Sequence, residues 1–162
     1  MRQLVIAAKA AVAQGTWHAA LAIGLAMPDI CGRIENPLKS PKARFVEWYD
    51  RFLLKRYQAS IGATRTLRTF LGGLDCCALR CAFLHQGEFG IDDQRARQAL
   101  RHFHFTAPRQ GFLVHMNEVN SVLQLQVDQF CLDVNDAVEE WLVSIADDKD
   151  IQARLAKLAS IG

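Results

Sequence analysis

Gly73-Leu74-Asp75-Cys76-Cys77-Ala78-Leu79-Arg80-Cys81-Ala82-Phe83-Leu84-His85-Gln86-Gly87 is the stretch from which the rest of the chain is read. Asp75 can cap a helix start by accepting backbone N–H bonds, and Gly87 can close a helix in a left-handed conformation. The run between them is apolar, which predicts a short, largely buried helix. Inside it Arg80 and His85 stand out. Five residues apart on a helix, their side chains leave the axis about 140° apart and about 7.5 Å along it, so they flank a face without stacking. Two copies of the helix across a two-fold axis would set Arg80 of one chain near His85 of the other. The pair therefore makes more chemical sense in a homodimer.

Spacing alone is a weak signal, because roughly one Arg-x(4–6)-His match is expected by chance at this composition. Arg97 to His102, Arg97 to His104 and Arg109 to His115 match too, but those cross expected strand and turn. Context singles out Arg80 and His85. The segment Leu79-Arg80-Cys81-Ala82-Phe83-Leu84-His85-Gln86-Gly87 resembles the Arg-x(4–6)-His signature of the HEPN superfamily. That resemblance implies a small helical bundle, usually dimeric, and in many members a metal-independent endoribonuclease of toxin, phage-defence or RNA-processing type. Arg80 and His85 would then be catalytic, with Asp75 and Gln86 near enough to orient them. Cys81 stands where many active members have a polar residue. RNA is the implied substrate, an antitoxin or regulatory protein a further partner, and the family also holds non-catalytic scaffolds.

The residue pair suits that chemistry. Cleaving RNA without a metal requires removing the 2′-OH proton, stabilising charge on the attacked phosphate and protonating the leaving oxygen. A histidine titrating near neutrality moves protons, and an arginine fork holds phosphate oxygens. A non-catalytic dimerisation or protein-interaction module explains the same residues differently. Arg80 would then be an ion-pair residue, to Asp75 or the acidic C-terminal helix, and His85 a residue favoured by the helix dipole.

Composition bounds the possibilities. At 162 residues, 51% apolar, the chain suits one globular domain over residues 1–162 with a real core. A net charge of +2 gives no overall polyelectrolyte signal for nucleic acid. The charges are unevenly placed: between Arg33 and Arg109 basic residues lead by about seven, and from Glu118 onward acidic ones lead by about six. A phosphate-facing side is one reading of this pattern, and sorting of surface charge by helix explains it equally. Cys31, Cys76, Cys77, Cys81 and Cys131 form no Cys-x-x-Cys pair, which argues against a structural zinc site and suits a reducing cytoplasm. No cofactor or metal is implied. The apolar core after Arg2 is cut short by Lys9, so it reads as a helix rather than a leader peptide, and no apolar run is long enough for a bilayer.

The expected fold class is all-α, a bundle of five or six helices with one small inserted β-hairpin. Helices are expected at Arg2–Gln14, Trp17–Ala26 with a kink or end at Pro28, Pro41–Tyr57 after a Ser40 cap, and the central stretch. A long amphipathic helix from Asn120 to Ala146 and a last one at Ile151–Ser160, capped by Asp148, complete the bundle. His18 falls on the second, buried run and reads as a core histidine. Gln58 to Gly73 is a loop with one helical piece at Thr66–Leu71, and Arg65 and Arg68 in it are candidates for phosphate or RNA contact. A short helical piece is expected before Leu100. Alternation in Arg101–Thr106 and Phe112–Asn117 around a Pro/Gly loop predicts the hairpin, with Phe103 and Phe105 inward. His102 and His104 would share a face that His115 approaches or not according to register, either as a metal site or as plain exposed alternation.

Overall fold

Helix α2 (Trp17–Glu35) is the axis of the molecule, touching α1 (Arg2–Ala13), α3 (Pro41–Phe52), α4 (Gly73–Gln86), α5 (Val127–Ser144) and α6 (Lys149–Leu155). In this computed structural model, which describes residues 1–91 and 100–158, α2 buries Ala20, Leu21, Leu25, Met27, Cys31 and Ile34. It runs on past Pro28, where the sequence predicts a kink or an end with the helix able to continue for another turn or two. Proline removes one backbone donor, and apolar burial on both sides holds the helix together.

The caps at two helices follow their sequence signals. Ser40 accepts the Ala43 N–H at 3.4 Å with Pro41 at the first helical position, and Asp148 accepts from Asp150 and Ile151 at 3.0 and 2.9 Å. Helix α3 is shorter than expected, giving way at Leu54–Tyr57 to a 3-10 turn. Tyr57 is thereby turned into the core, 0% exposed. His18, by contrast, is exposed on the first turn of α2, so it is not a core histidine. The piece expected before Leu100 lies outside the described residues, and the last helix, α6, ends at Leu155 with turns to Leu158, short of the expected Ser160.

The all-α expectation is overturned by two sheets. Strands β1 (Gln58–Ile61) and β2 (Thr66–Thr69) form an antiparallel hairpin where a loop and helical piece were expected. β-branched Thr66 and Thr69 favour extended backbone, and Gly62 (φ +72°) with Arg65 (φ +49°) provides the left-handed turn. The second sheet has the order β3-β5-β4, from His102–Thr106, Val122–Gln126 and Asn117–Val119. The expected pairing of Arg101–Thr106 with Phe112–Asn117 is also wrong. β3 instead pairs in parallel with β5, Phe103 opposite Leu123 and Phe105 opposite Leu125. The hairpin is β4–β5, closed by Asn120 and Ser121 at φ +53° and +62°, the pair of positive angles that a two-residue turn of this kind demands.

Helix α5 consequently starts at Val127, not Asn120. Leu123 and Val127 are four apart, which mimics a helical step, yet Val122-Leu123-Gln124-Leu125-Gln126 alternates strictly. Alternation prevails because it puts Leu123 and Leu125 in the core beside Phe103. Phe103 is fully buried and Phe105 meets Phe130 of α5 edge-on at 5.6 Å, so these two phenylalanines do pack against helices. No helix among the described residues is long and apolar enough to cross a membrane.

Candidate active site

Helix α4 is seated by close backbone approach. A Cβ on Gly73 would stand 2.9 Å from Asp50 Oδ1 and 3.1 Å from a Val46 methyl, so glycine alone lets the first turn of α4 meet α3. The Asp50 carboxylate takes the Gly73 backbone N–H, and partial burial raises its pKa against that bond. The cap is thus tertiary. Asp75 does not cap the helix, because Gly72 in extended conformation occupies that position three residues earlier. Asp75 is buried in the first turn, and its Oδ1 accepts the Leu100 N–H at 3.3 Å, tethering the chain that leads into β3. It is three turns from His85 and orients neither catalytic candidate. At the other end Gly87 takes φ +73° and its N–H bonds the Phe83 carbonyl at 3.1 Å, as its sequence position predicts.

Arg80 lies half-buried on α4. Its Nη2 bonds Asp29 Oδ2 of α2 at 2.8 Å, and Asp29 Oδ1 lies 3.4 Å from Nη2 of Arg44 on α3. One carboxylate thus serves two guanidiniums, leaving a local excess of one positive charge. Neither Asp75 nor the C-terminal helix supplies the partner. Asp29 and Arg44 escaped the sequence reading. Asp29 is a carboxylate within the apolar run of α2, whose other carboxylate is Glu35 at its end, and Arg80 is the one arginine of α4; each such charge needs a partner to be buried. Glycine sets the meeting point here too: a Cβ on Gly32, one turn after Asp29, would stand 2.7 Å from the Arg44 carbonyl oxygen.

His85 is exposed on the last turn of α4, beside exposed Gln86. Arg80 is paired to α2, and within the chain it does not meet His85. Along the same helix Leu74, Cys77, Cys81 and Leu84 follow a three-four-three spacing. Leu74, Cys81 and Leu84 are half-buried and Cys77 is 7% exposed, so they form an apolar stripe that the chain covers only in part. Cys81 Sγ lies 4.0 Å from Arg80 Nη1. Burial, reinforced by the neighbouring Cys81, raises the Cys77 thiol to about 11.

The other candidates are placed elsewhere. Arg65 is exposed at the tip of the β1–β2 hairpin. Arg68 on β2 is held by Glu118 of β4 at 2.9 Å and lies over the Phe70 ring at 5.2 Å. These two do not join Arg80. His102 and His104 are exposed on one face of β3, whereas His115 is largely buried near the start of α5. Its Nδ1 accepts the Gln126 N–H at 3.3 Å and its Nε2 faces Asp133 Oδ2 at 3.7 Å. Tyr57 donates to the same carboxylate at 3.2 Å, and burial, then Asp133, raises the Tyr57 phenol. The three histidines are not brought together, and among the described residues no three His, Cys, Asp or Glu side chains are placed to hold a metal. Compared with known proteins, the chain matches no family model, no curated protein and no solved structure.

Proposed function

We propose that the chain is a HEPN-like, metal-independent endoribonuclease that works as a homodimer, with Arg80 on the scissile phosphate and His85 of the facing chain moving the protons. The observation that carries this reading is the Arg80–Asp29–Arg44 cluster. Two guanidiniums on one carboxylate keep a net positive charge in a half-buried place, which suits a phosphodiester. His85 stands free of that cluster and exposed, available to a second chain. Packing of the Leu74–Cys77–Cys81–Leu84 stripe against its two-fold mate covers the apolar surface and closes the gap between the two catalytic candidates.

In the reaction, His85 takes the 2′-OH proton as O2′ attacks phosphorus. The P–O5′ bond breaks, the leaving O5′ takes a proton from the His85 imidazolium so formed, and a 2′,3′-cyclic phosphate remains. Arg80 holds the non-bridging oxygens as charge builds on them. Five unpaired thiols suit a reducing cytoplasm, and an antitoxin or regulatory protein is the partner such an activity calls for. Incubating the purified protein with mixed RNA in EDTA tests the proposal. Cyclic phosphate ends and spared DNA support it; cleavage that depends on added metal, or cleavage of DNA, overturns it.

One observation favours a second reading. Arg80 is already satisfied by Asp29 of its own chain, as in a scaffold whose ion pair ties α2 to α4. Absence of any RNA cleavage, with a dimer by light scattering, selects that reading.

A further inference from the structure

A second constellation lies where β3 and β5 end, at Thr106 and Gln126. Arg109-Gln110-Gly111-Phe112 is a tight turn, with the Phe112 N–H bonded to the Arg109 carbonyl at 3.1 Å and Gly111 at φ +81°. The turn sets Arg109 and Phe112 side by side at one rim. Phe112 is 74% exposed and the adjoining Leu113 72%, an apolar exposure that the chain itself does not cover. Beneath the rim is a groove of about 550 Å³ lined by His104, Phe105, Thr106, Arg109, Phe112 and Gln126 among others. Among the described residues its lining includes one guanidinium, one imidazole, one amide and one hydroxyl, and no carboxylate.

We propose that this groove holds one nucleotide of a single-stranded RNA, the base stacked on Phe112, its edge read by Gln126 and its phosphate met by Arg109. The inference rests on the ribonuclease reading of α4 and gives that site a substrate-holding arm. Every base offers a π-face, so an exposed aromatic beside a guanidinium accepts single strands without needing a helical groove. The volume is of the size that encloses a small ligand. Continuity with α4 runs through rings. Phe105 in the groove lies 5.3 Å from Phe89, and Phe89 stacks on Phe83 at 5.4 Å, one turn beyond Arg80. On the far side of Phe105, Trp17 and exposed His18 border an adjoining cavity, which extends the same aromatic and basic character.

The test uses the full-length His85→Ala protein, which cannot consume its ligand, and a fluorescein-labelled 12-nucleotide single-stranded RNA followed by anisotropy at several salt concentrations. Adding Phe112→Ala should weaken binding by roughly 5- to 100-fold, and Phe112→Trp should restore it. Adding Arg109→Ala should reduce the slope of log affinity against log salt by about 0.7, one phosphate contact. Both side chains are exposed, so neither change threatens folding. Unchanged affinity in Phe112→Ala and Arg109→Ala, or no RNA binding by the parent, overturns the groove. If binding depends on both residues while the unmutated protein cleaves nothing, the groove stands and the nuclease falls. If the protein cleaves RNA and the groove variants bind and cleave normally, only the groove falls.

Discussion

Asp29 on α2 holds the Arg80 guanidinium of α4 through a 2.8 Å bond, and shares its other oxygen with Arg44 at 3.4 Å. The three side chains come from three helices, so the pose of Arg80 is a property of the helix packing and not of α4 alone. On the proposed nuclease reading, Asp29 is accordingly a positioning residue. Asp29→Ala should lower kcat by about 10- to 100-fold while KM moves less, since the misplacement acts in the transition state. The ion pair is about a quarter exposed, so the stability loss should stay near 1 kcal/mol. A Tm scan alongside the kinetics separates the two effects. Full activity in Asp29→Ala removes the positioning role.

The α2–α3 crossing can be tested at one atom. Gly32→Ala pushes a methyl to 2.7 Å from the Arg44 carbonyl, backbone that cannot rotate away. The helices must part, costing about 1–3 kcal/mol, and Arg44 moves off Asp29. Chemical denaturation should register the loss, and an unaltered midpoint would show that the crossing is looser than described.

Cysteine chemistry should be selective. Cys31, Cys76 and Cys131 are 0–1% exposed and Cys77 is 7% exposed with its thiol raised to about 11, whereas Cys81 is half-buried at the surface of α4. Limited alkylation at pH 8, run at a protein concentration low enough to dissociate the proposed dimer that covers Cys81, should place the first adduct on Cys81, read by peptide mass spectrometry. Because Cys81 adjoins Arg80, activity should fall in step with that adduct. First labelling at another cysteine contradicts the packing.

The Asp50 carboxylate gives a pH signature. Partial burial raises its folded pKa above the ordinary 3.8, outweighing the Gly73 N–H that favours the anion. A raised folded pKa means a contribution fully present below the unfolded value and lost as pH rises through the folded one. Asp50→Asn removes this titration while keeping an acceptor for Gly73. From about pH 4 upward, Tm of the natural protein should therefore fall relative to Asp50→Asn. A natural-protein Tm that rises relative to Asp50→Asn over that range refutes the sign.

Much of the helical frame is legible in the sequence because its signals are local. Ser40-Pro41, Asp148 and Gly87 each terminate a helix through chemistry within four residues, and the structure keeps all three. The sheets are not legible in that way. β3 finds its partner β5 across twenty residues and in parallel, so nothing near Phe103 announces Leu123. Leu123 and Val127 imitate a helical step, and only the left-handed Asn120–Ser121 turn marks the change of period. The site divides similarly. Arg80 and His85 stand out as polar residues in an apolar helix, but Asp29 and Arg44 become visible only once α2, α3 and α4 are packed. Asp75, plausible as a cap by its place near Gly72, is instead a tether for Leu100.

The most direct measurement asks whether Arg80 and His85 act from different chains. Arg80→Ala and His85→Ala proteins, each inactive alone, are unfolded together, refolded as a mixture and assayed on RNA in EDTA. Each mixed dimer then has one site with both residues intact and one with neither, so the mixture should recover about a quarter of natural activity. A mixture as inactive as its two components would contradict the shared two-chain site.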